Sequence, residues 1–567
     1  MRVAYLGAVI VCAVAVAYTI PLGLLPSGLA PDYHRLFGER AYQPAPPAVE
    51  PTIPSLDVDD VCPSHLRPWK LAREIEGVAV AASPDCVPDN PWEVAASVLG
   101  TNNVSNKTLE QTLFGKDTVE KSDDRDGDGD PDLITIRLEV MELNGYSPDM
   151  PDVIPQFEIA PGIKPGLWVF APKTRGMTTI NFESPEAHRL VRLPAPVLRV
   201  EQGDEVRLVL ENTHYLPHTI HLHGVDHPFK TLDGEGNDGV PILSEHSTQP
   251  GEAKSYVFTP RQAGTMFYHC HVQPQSHILM GLQGMFVVEE NRPNNRVQTF
   301  NIGGGRVRAP SAAVRESYDR EYDLHYADLD RDMNDRIKQF NDPRLVSRAV
   351  HREYDIAERT EEFHVLNGKS FPYTLLESLV VVDPGERIKL RVLNGGAAGI
   401  ALHLHGHKPV VTHEDGVPVG DQRRRQRDVV WLASAQRLDL DLNTANDGLN
   451  SFGPGAWLMH DHKEQGIATD GINPGGNIGV LVHGDYLDAD GLPKTVTGLD
   501  SLAPYFSPAY YRGEVPVFAG TDTDNRFGDP APVSNWTVRL LVFVLSGVGM
   551  VVFAALGIRR REEEQWP

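Results

Sequence analysis

Eight histidines stand in four His-x-His pairs: His221 and His223, His269 and His271, His403 and His405, His460 and His462. A β-strand sends alternate side chains to one face, so each pair aims two imidazoles at one point. Imidazole suits copper, zinc, iron and nickel. A single pair is a common surface feature. Four pairs, two at matching places in each half of the chain, point to metal binding.

A sulfur joins them once. In "FYHCHVQPQSH", Cys270 lies between His269 and His271, His277 follows, and His218 precedes the first pair. Two imidazoles and one thiolate with a weak axial group make a blue-copper electron-transfer site. The plainer reading of Cys270, a small buried hydrophobe, leaves the paired histidines unexplained. In the later "AWLMHDH", Asp461 stands where the Cys was. Ile400 takes the place equivalent to His218, and nothing replaces His277. The second half therefore lacks the whole sulfur site while keeping its four paired histidines.

The elements that position these residues form an internal repeat. "VEQGDEVRLVLEN" (200–212) parallels "VDPGERIKLRVLN" (382–394), and "HTIHLHG" (218–224) parallels "IALHLHG" (400–406). Short alternating strands with regular turns predict a β-sandwich in each repeat. We expect the first over residues 131–290 and the second over 355–490. Residues 31–130, rich in Pro, Asp and Asn, read as a loop-rich extension. Residues 291–354 read as a linker whose "YDLHYADLDRDMNDRIKQF" is a charged helix, and 491–535 as a second linker.

The ends bound the location. Residues 3–25 and 540–558 carry no charge, and Arg559, Arg560 and Arg561 follow the second run. Residues 1–30 read as a signal anchor or signal peptide. Residues 536–567 read as a transmembrane helix with a cytoplasmic basic tail. The domains between them are then extracytoplasmic, at the cell surface or in a periplasm. In an oxidising compartment Cys62 and Cys86 are expected to form a disulfide. The net charge of -25, with no basic stretch resembling a nucleic-acid footprint, argues against a nucleic-acid partner. It mildly favours metal-ion donors over anionic ones. Asp124, Asp126, Asp128 and Asp132, in "DDRDGDGDPD", have a spacing that resembles calcium loops. The twelfth place holds Thr135 rather than Glu, so calcium site and solvated acidic turn both stand.

"HTIHLHG", "FYHCHVQPQSH", "ALHLHGHKP" and "MHDH" resemble the four copper-binding motifs of the multicopper oxidases, in order, over roughly residues 130 to 490. The organisation is similar to the two-domain, laccase-like members with blue copper in the first domain only. That resemblance implies an all-β fold of two cupredoxin-like Greek-key sandwiches, here with a loop-rich extension and a membrane helix at each end. It implies four coppers per chain and a homotrimer whose trinuclear cluster lies between subunits. His218, Cys270 and His277 would hold the type 1 copper. The usual axial place holds Leu282, with Met280 the alternative. His221 and His403 would hold type 2 copper. His223, His269 and His462 would hold one type 3 copper, and His271, His405 and His460 the other. A phenolic or metal-ion donor would be oxidised one electron at a time, and O2 reduced to water. Asp226 and Asp461 are candidate proton donors. His227, His407 and His413 are expected to support the ligands or lie on the surface. Two further readings remain at this point, a copper nitrite reductase and a copper-carrying protein without turnover.

Overall fold

The structure, a computed structural model, describes residues 118–515 except 147–153, 174–190, 228–233, 293–296, 298, 308–317, 341 and 496–500. It also describes three short earlier strands and residues 547, 549, 552 and 556. Among the described residues no helix is long and apolar enough to cross a membrane. The apolar run 3–25, Cys62, Cys86, and all but four positions of the run 540–558 lie outside them.

Residues 50–513 form one compact unit built from two sandwiches. In the first, one sheet runs in the order Ala253–Phe258, Glu205–Glu211, Leu133–Leu143, Val119–Ser122, with Leu167–Pro172 also paired to Leu133–Leu143. The other runs Ala95–Ser97, Phe300–Ile302, Val197–Glu201, Gln283–Glu289, Gly264–His269, His221–His223. Alternation decides what lies between them: Val206, Leu208 and Leu210 of "EVRLVLE" are buried against Phe258, Phe286 and Met266. In the second sandwich, Arg387–Asn394, Arg437–Asn443 and Val410–Glu414 lie in one sheet, and Gly479–His483, Ala456–Asp461 and Ile400–Leu404 in the other. Leu390, Val392, Leu402, Leu440 and Met459 fill its core.

Two segments differ from expectation. The loop-rich extension supplies edge strands, since Ala95–Ser97 pairs with Phe300–Ile302 and Val119–Ser122 with Leu133–Leu143. The expected linker helix is for its first half the strand Arg320–Leu329, parallel to Arg387–Asn394. The charges of that strand suggested a solvated helix. They are instead the polar half of a period-two pattern. Tyr322, Leu324 and Tyr326 enter the second core, while Glu321 and Asp323 meet buried arginines. Helix begins only at Arg331–Asp335, capped by Asp330, and resumes at Pro343–Arg348, capped by Asp342. These short helices turn back onto the first domain, placing Met333, Ile337, Val346 and Val350 in its core.

The domains meet across a buried ionic cluster. Arg391 pairs with Glu321, with Glu289 at 3.1 Å and with Asp439 at 3.1 Å. Arg199 pairs with Asp323 at 2.5 Å, Glu321 at 3.4 Å and Glu289 at 3.5 Å. Thr265 donates to Asp439 at 2.5 Å. Arg199, Glu289 and Thr265 belong to the first domain, the rest to the second. Burial alone would raise the Glu321 carboxyl, but Arg391, Lys389 and Arg199 hold it down at about 2. Removing one cation leaves buried carboxylates without compensation. We therefore expect Arg391→Met to lower unfolding stability by about 3–5 kcal/mol, read as a shifted denaturant midpoint. An unchanged midpoint would show the cluster to be energetically neutral.

Candidate metal centre

Strand Gly264–His269 aims its residues at two different places. Met266, Tyr268 and, just beyond the strand, Cys270 belong to the core of the first sandwich. Phe267, from the alternate set, packs with Met285, Val287 and Leu393 on the outer face, against the second domain. Cys270 thus points inward, and His269 lies on the outer face.

Inward, Cys270 Sγ lies 3.3 Å from His277 Nδ1 and 3.6 Å from His218 Nδ1. All three residues have zero solvent exposure. Metal–sulfur and metal–nitrogen bonds of about 2.3 and 2.0 Å, at a near-tetrahedral angle, span about 3.5 Å, so one ion fits between these atoms. Burial pushes the Cys270 thiol up to about 12 and both imidazoles well below their usual range. The imidazoles are therefore neutral, in the form that ligates. Leu282 is the cross-strand partner of Cys270, whose N–H donates to the Leu282 carbonyl at 3.0 Å; directly opposed residues share a face. Met280 is also fully buried, but its sulfur accepts from Asn334 Nδ2 at 3.7 Å.

The outer nitrogens of this pair are held by histidines that sequence inspection missed. His218 Nε2 lies 2.9 Å from His214 Nδ1, and His277 Nε2 lies 3.0 Å from His351 Nε2. Trp168 stands edge-on to both His214 and His277, with ring centroids 5.3 Å apart in each case. His214 has a local signal, four residues before His218. His351 has none, since the fold alone brings the linker onto His277.

Outward, His221, His223 and His269 converge, with His223 Nε2 3.0 Å from His269 Nε2. His271 joins them, its ring 5.2 Å from that of His221. The second domain repeats the pattern. His405 Nε2 lies 3.2 Å from His460 Nε2, and the His403 ring is 5.5 Å from that of His462. The polarity of two rings in each quartet is fixed the same way in both copies. His221 Nδ1 faces the Asp238 carbonyl at 2.6 Å and His403 Nδ1 the Asp428 carbonyl at 3.0 Å. His269 and His460 likewise turn Nδ1 to the carbonyls of Cys270 and Asp461. Each leaves Nε2 for a metal. Among the described residues no cluster of ligand atoms combines the two quartets.

The acids fall in three settings. Asp226 is 69% exposed and pairs with Arg261. Asp461 is buried, its Oδ1 accepting from the Ala401 and Lys463 backbones at 2.8 and 3.0 Å. Asp238, absent from the sequence-derived set, stands with its Oδ1 3.5 Å from His221 Nδ1 and 3.3 Å from His227 Nδ1. It stands 17 positions after His221, so no spacing rule marks it. His407 turns Nδ1 to the His405 carbonyl at 3.1 Å, whereas His413 joins the domain interface beside Asp439. In the acidic loop, Asp124, Asp126 and Asp132 come together. Asp128 stays outside this group; its N–H donates to Asp124 at 3.0 Å.

Residues 191–293 and 344–471 match two family models, each described as multicopper oxidase. These are multicopper oxidase domains. Copper is the metal of this oxidoreductase family, four ions being its usual complement. The chain is 26% identical over 243 residues to copper resistance protein A of Pseudomonas syringae pv. tomato, covering 40% of this chain and 37% of that one. It is 25% identical over 403 residues to the iron transport multicopper oxidase FET3 of Gibberella zeae, covering 64% and 57%. The chain thus spans under two thirds of the length of these relatives. The structure is similar to a blue copper oxidase from Nitrosomonas europaea, with 22% identity, 67% and 94% coverage and a TM-score of 0.46.

Burial makes the metal-free site acid-sensitive. It lowers His214 and His269 to about 3. The unfolded chain takes up protons below its histidine value near 6.5, and the folded chain does not until about pH 3. Stability is therefore lost as pH falls through that window. At pH 5 each such histidine costs about 2 kcal/mol. Denaturant midpoints of the metal-free protein should fall steeply from pH 7 to 5; a flat profile would contradict the buried, neutral assignment.

Proposed function

We propose that this chain is a multicopper oxidase that oxidises a phenolic or metal-ion donor one electron at a time and reduces O2 to two waters. The observation that carries it is the sequence His269-Cys270-His271. Its sulfur joins the inward site with His218 and His277, and its imidazoles join the outward site with His221 and His223. One peptide bond on each side of Cys270 links an electron-accepting site to a second metal site.

Copper, when bound, would supply one-electron exchange at the inward site and multi-electron reduction of O2 at the outward one. The residues do the rest. His218 and His277 present Nδ1 and Cys270 its sulfur in a fully buried pocket, and Leu282, opposite Cys270, offers no ligand atom. Asp238 orients His221 and is placed to hold a proton beside it. His221 and His403 would serve the type 2 ion. His223, His269 and His462, with His271, His405 and His460, would serve the type 3 pair.

The outward site needs a second copy of the chain. In the first domain the histidine-bearing sheet face is covered by the second domain through Phe267 and Leu393. The matching face of the second domain is open: Trp431 is 61% and Leu458 42% exposed, and His462 is 54% exposed. Covering it by the same kind of contact requires a head-to-tail neighbour, and head-to-tail contacts form a ring where the rotation closes. This supports a homotrimer with the cluster between subunits. The terminal apolar runs support membrane anchoring with the domains extracytoplasmic, and the acidic loop would take calcium through Asp124, Asp126 and Asp132. A nitrite reductase needs one mononuclear catalytic copper, which leaves most of the eight paired histidines without a role.

Copper analysis and an oxygen electrode test this reading. We expect Cys270→Ser to abolish the intense blue absorption and oxidase activity while removing one copper per chain. A blue, active variant sinks the assignment. Two coppers per chain with nitrite turnover would replace it. Trp431→Asp should convert trimer to monomer in sedimentation, retain the blue absorption and lose the cluster coppers. Monomers with full copper would place the cluster within one chain.

A further inference from the structure

The copper ligands of the inward site cannot be touched from outside, because His218, Cys270 and His277 all have zero exposure. An external reductant therefore needs an intermediary. Two chains of contact lead away from the ligands. One runs from His218 to His214 at 2.9 Å, then across to Tyr215 with ring centroids 3.9 Å apart. Tyr215 is half-buried and its hydroxyl donates to Glu142 at 2.5 Å. The other runs from His277 to His351 at 3.0 Å, and His351 is itself half-buried at the surface. The second chain is shorter by one residue and reaches the surface through a single hydrogen bond. Electronic coupling decays exponentially with distance and is poorest across gaps between unbonded rings.

Resting on the type 1 reading above, we propose that His351, a residue of the linker between the domains, is the contact through which the electron donor reaches the copper site. With Nδ1 of His277 turned to the metal, its Nε2 carries the proton and donates to His351 Nε2. His351 Nδ1 then carries its own proton, directed at Ser347 Oγ at 3.3 Å. Trp168 holds both rings, its centroid 5.3 Å from that of His277 and 6.3 Å from that of His351. The helix Pro343–Arg348 and the turn Ala349–Glu353 that follows are anchored by Val346 and Val350 in the first core. They cover the ligand and present His351 in its place. The step is outer-sphere. The donor loses one electron, the type 1 site gains it, no bond to the donor forms, and no proton leaves the His277–His351 pair. The substrate class is accordingly any one-electron reductant that can pack against an imidazole edge, without coordination to the copper.

The test uses the copper-loaded full chain, reduced anaerobically by ferrocyanide in a stopped-flow instrument and followed by bleaching of the blue absorption. His351→Gln keeps an acceptor for His277 Nε2 and removes the aromatic edge; His351→Leu removes both. Each should slow bleaching by roughly tenfold or more, and the Gln variant should keep the wild-type type 1 potential, blue spectrum and rate of reoxidation by O2. Tyr215→Phe should bleach at the wild-type rate. Wild-type bleaching in both His351 variants overturns the proposal, as does slowing in Tyr215→Phe alone. Slowing in the Gln variant that is matched by a shift in potential also overturns it, since His351 would then only position His277. A wild-type protein that never turns blue overturns the oxidase reading itself, an outcome distinct from a blue protein indifferent to His351.

Discussion

The period-two alternation of a single strand end fixes the rest of this molecule. From Tyr268 to His271 the chain must send one residue into the sandwich and the next out of it. Cys270 takes the inward place among Met266, Tyr268 and Phe286, and its neighbours take the outward one. A shift of one residue would bury the imidazoles and expose the thiol. The register is secured by six cross-strand pairs to Gln283–Glu289 and three to His221–His223. The core packing of the first domain and the separation of its two metal sites are thus one constraint.

The outward face has a second requirement, a dry neighbour. Within the chain that neighbour is the second domain, held by Arg391 and Arg199 among Glu289, Glu321, Asp323 and Asp439. Replacing such a cluster by apolar residues often costs nothing, so its value here lies in orientation. Arg391 is planar and grips carboxylates on both domains, which sets the angle between the two sheets more narrowly than apolar contact does. The helices 331–348 add a second tie by anchoring the linker in the first core.

Much of this was legible from residue order. The paired histidines, the sulfur site and its absence from the second repeat depend on local spacing, and the structure brings those residues together. Leu282 is marked by its spacing, five residues after His277, and the structure sets it opposite Cys270. What escaped depends on contacts distant in sequence. His351 meets His277 across 74 positions, and Asp238 reaches His221 across 17. The strand Arg320–Leu329 was read as helix because its alternate residues are charged, and charge ordinarily marks solvent. Here the charged face meets Arg199 and Arg391 rather than water. A one-dimensional pattern reports the period-two alternation but not what each face packs against.

The second domain shows what became of the inward slot once the sulfur was gone. Asp461 occupies it with 1% exposure, and Ile400 stands in the core at the place of His218. Its Oδ1 accepts from Ala401 N–H on the neighbouring strand and from Lys463 N–H just past His462. Both bonds lie within two residues of a paired histidine: Ala401 precedes His403, and Lys463 follows His462. His462 N–H in turn donates to the Ala401 carbonyl at 2.8 Å. The carboxylate therefore ties together the two strands that present His403, His405, His460 and His462, a task that needs an acceptor and no metal. Its Oδ2 is buried with no hydrogen-bond partner among the described residues, a cost that a purely apolar residue at this place would avoid. The cost is understandable if the position serves the geometry of the outward histidines. In the first domain Cys270 takes the same place with its sulfur turned to His218 and His277, and Thr219 Oγ1, bonded to His271 N–H at 3.2 Å, ties the matching strands instead.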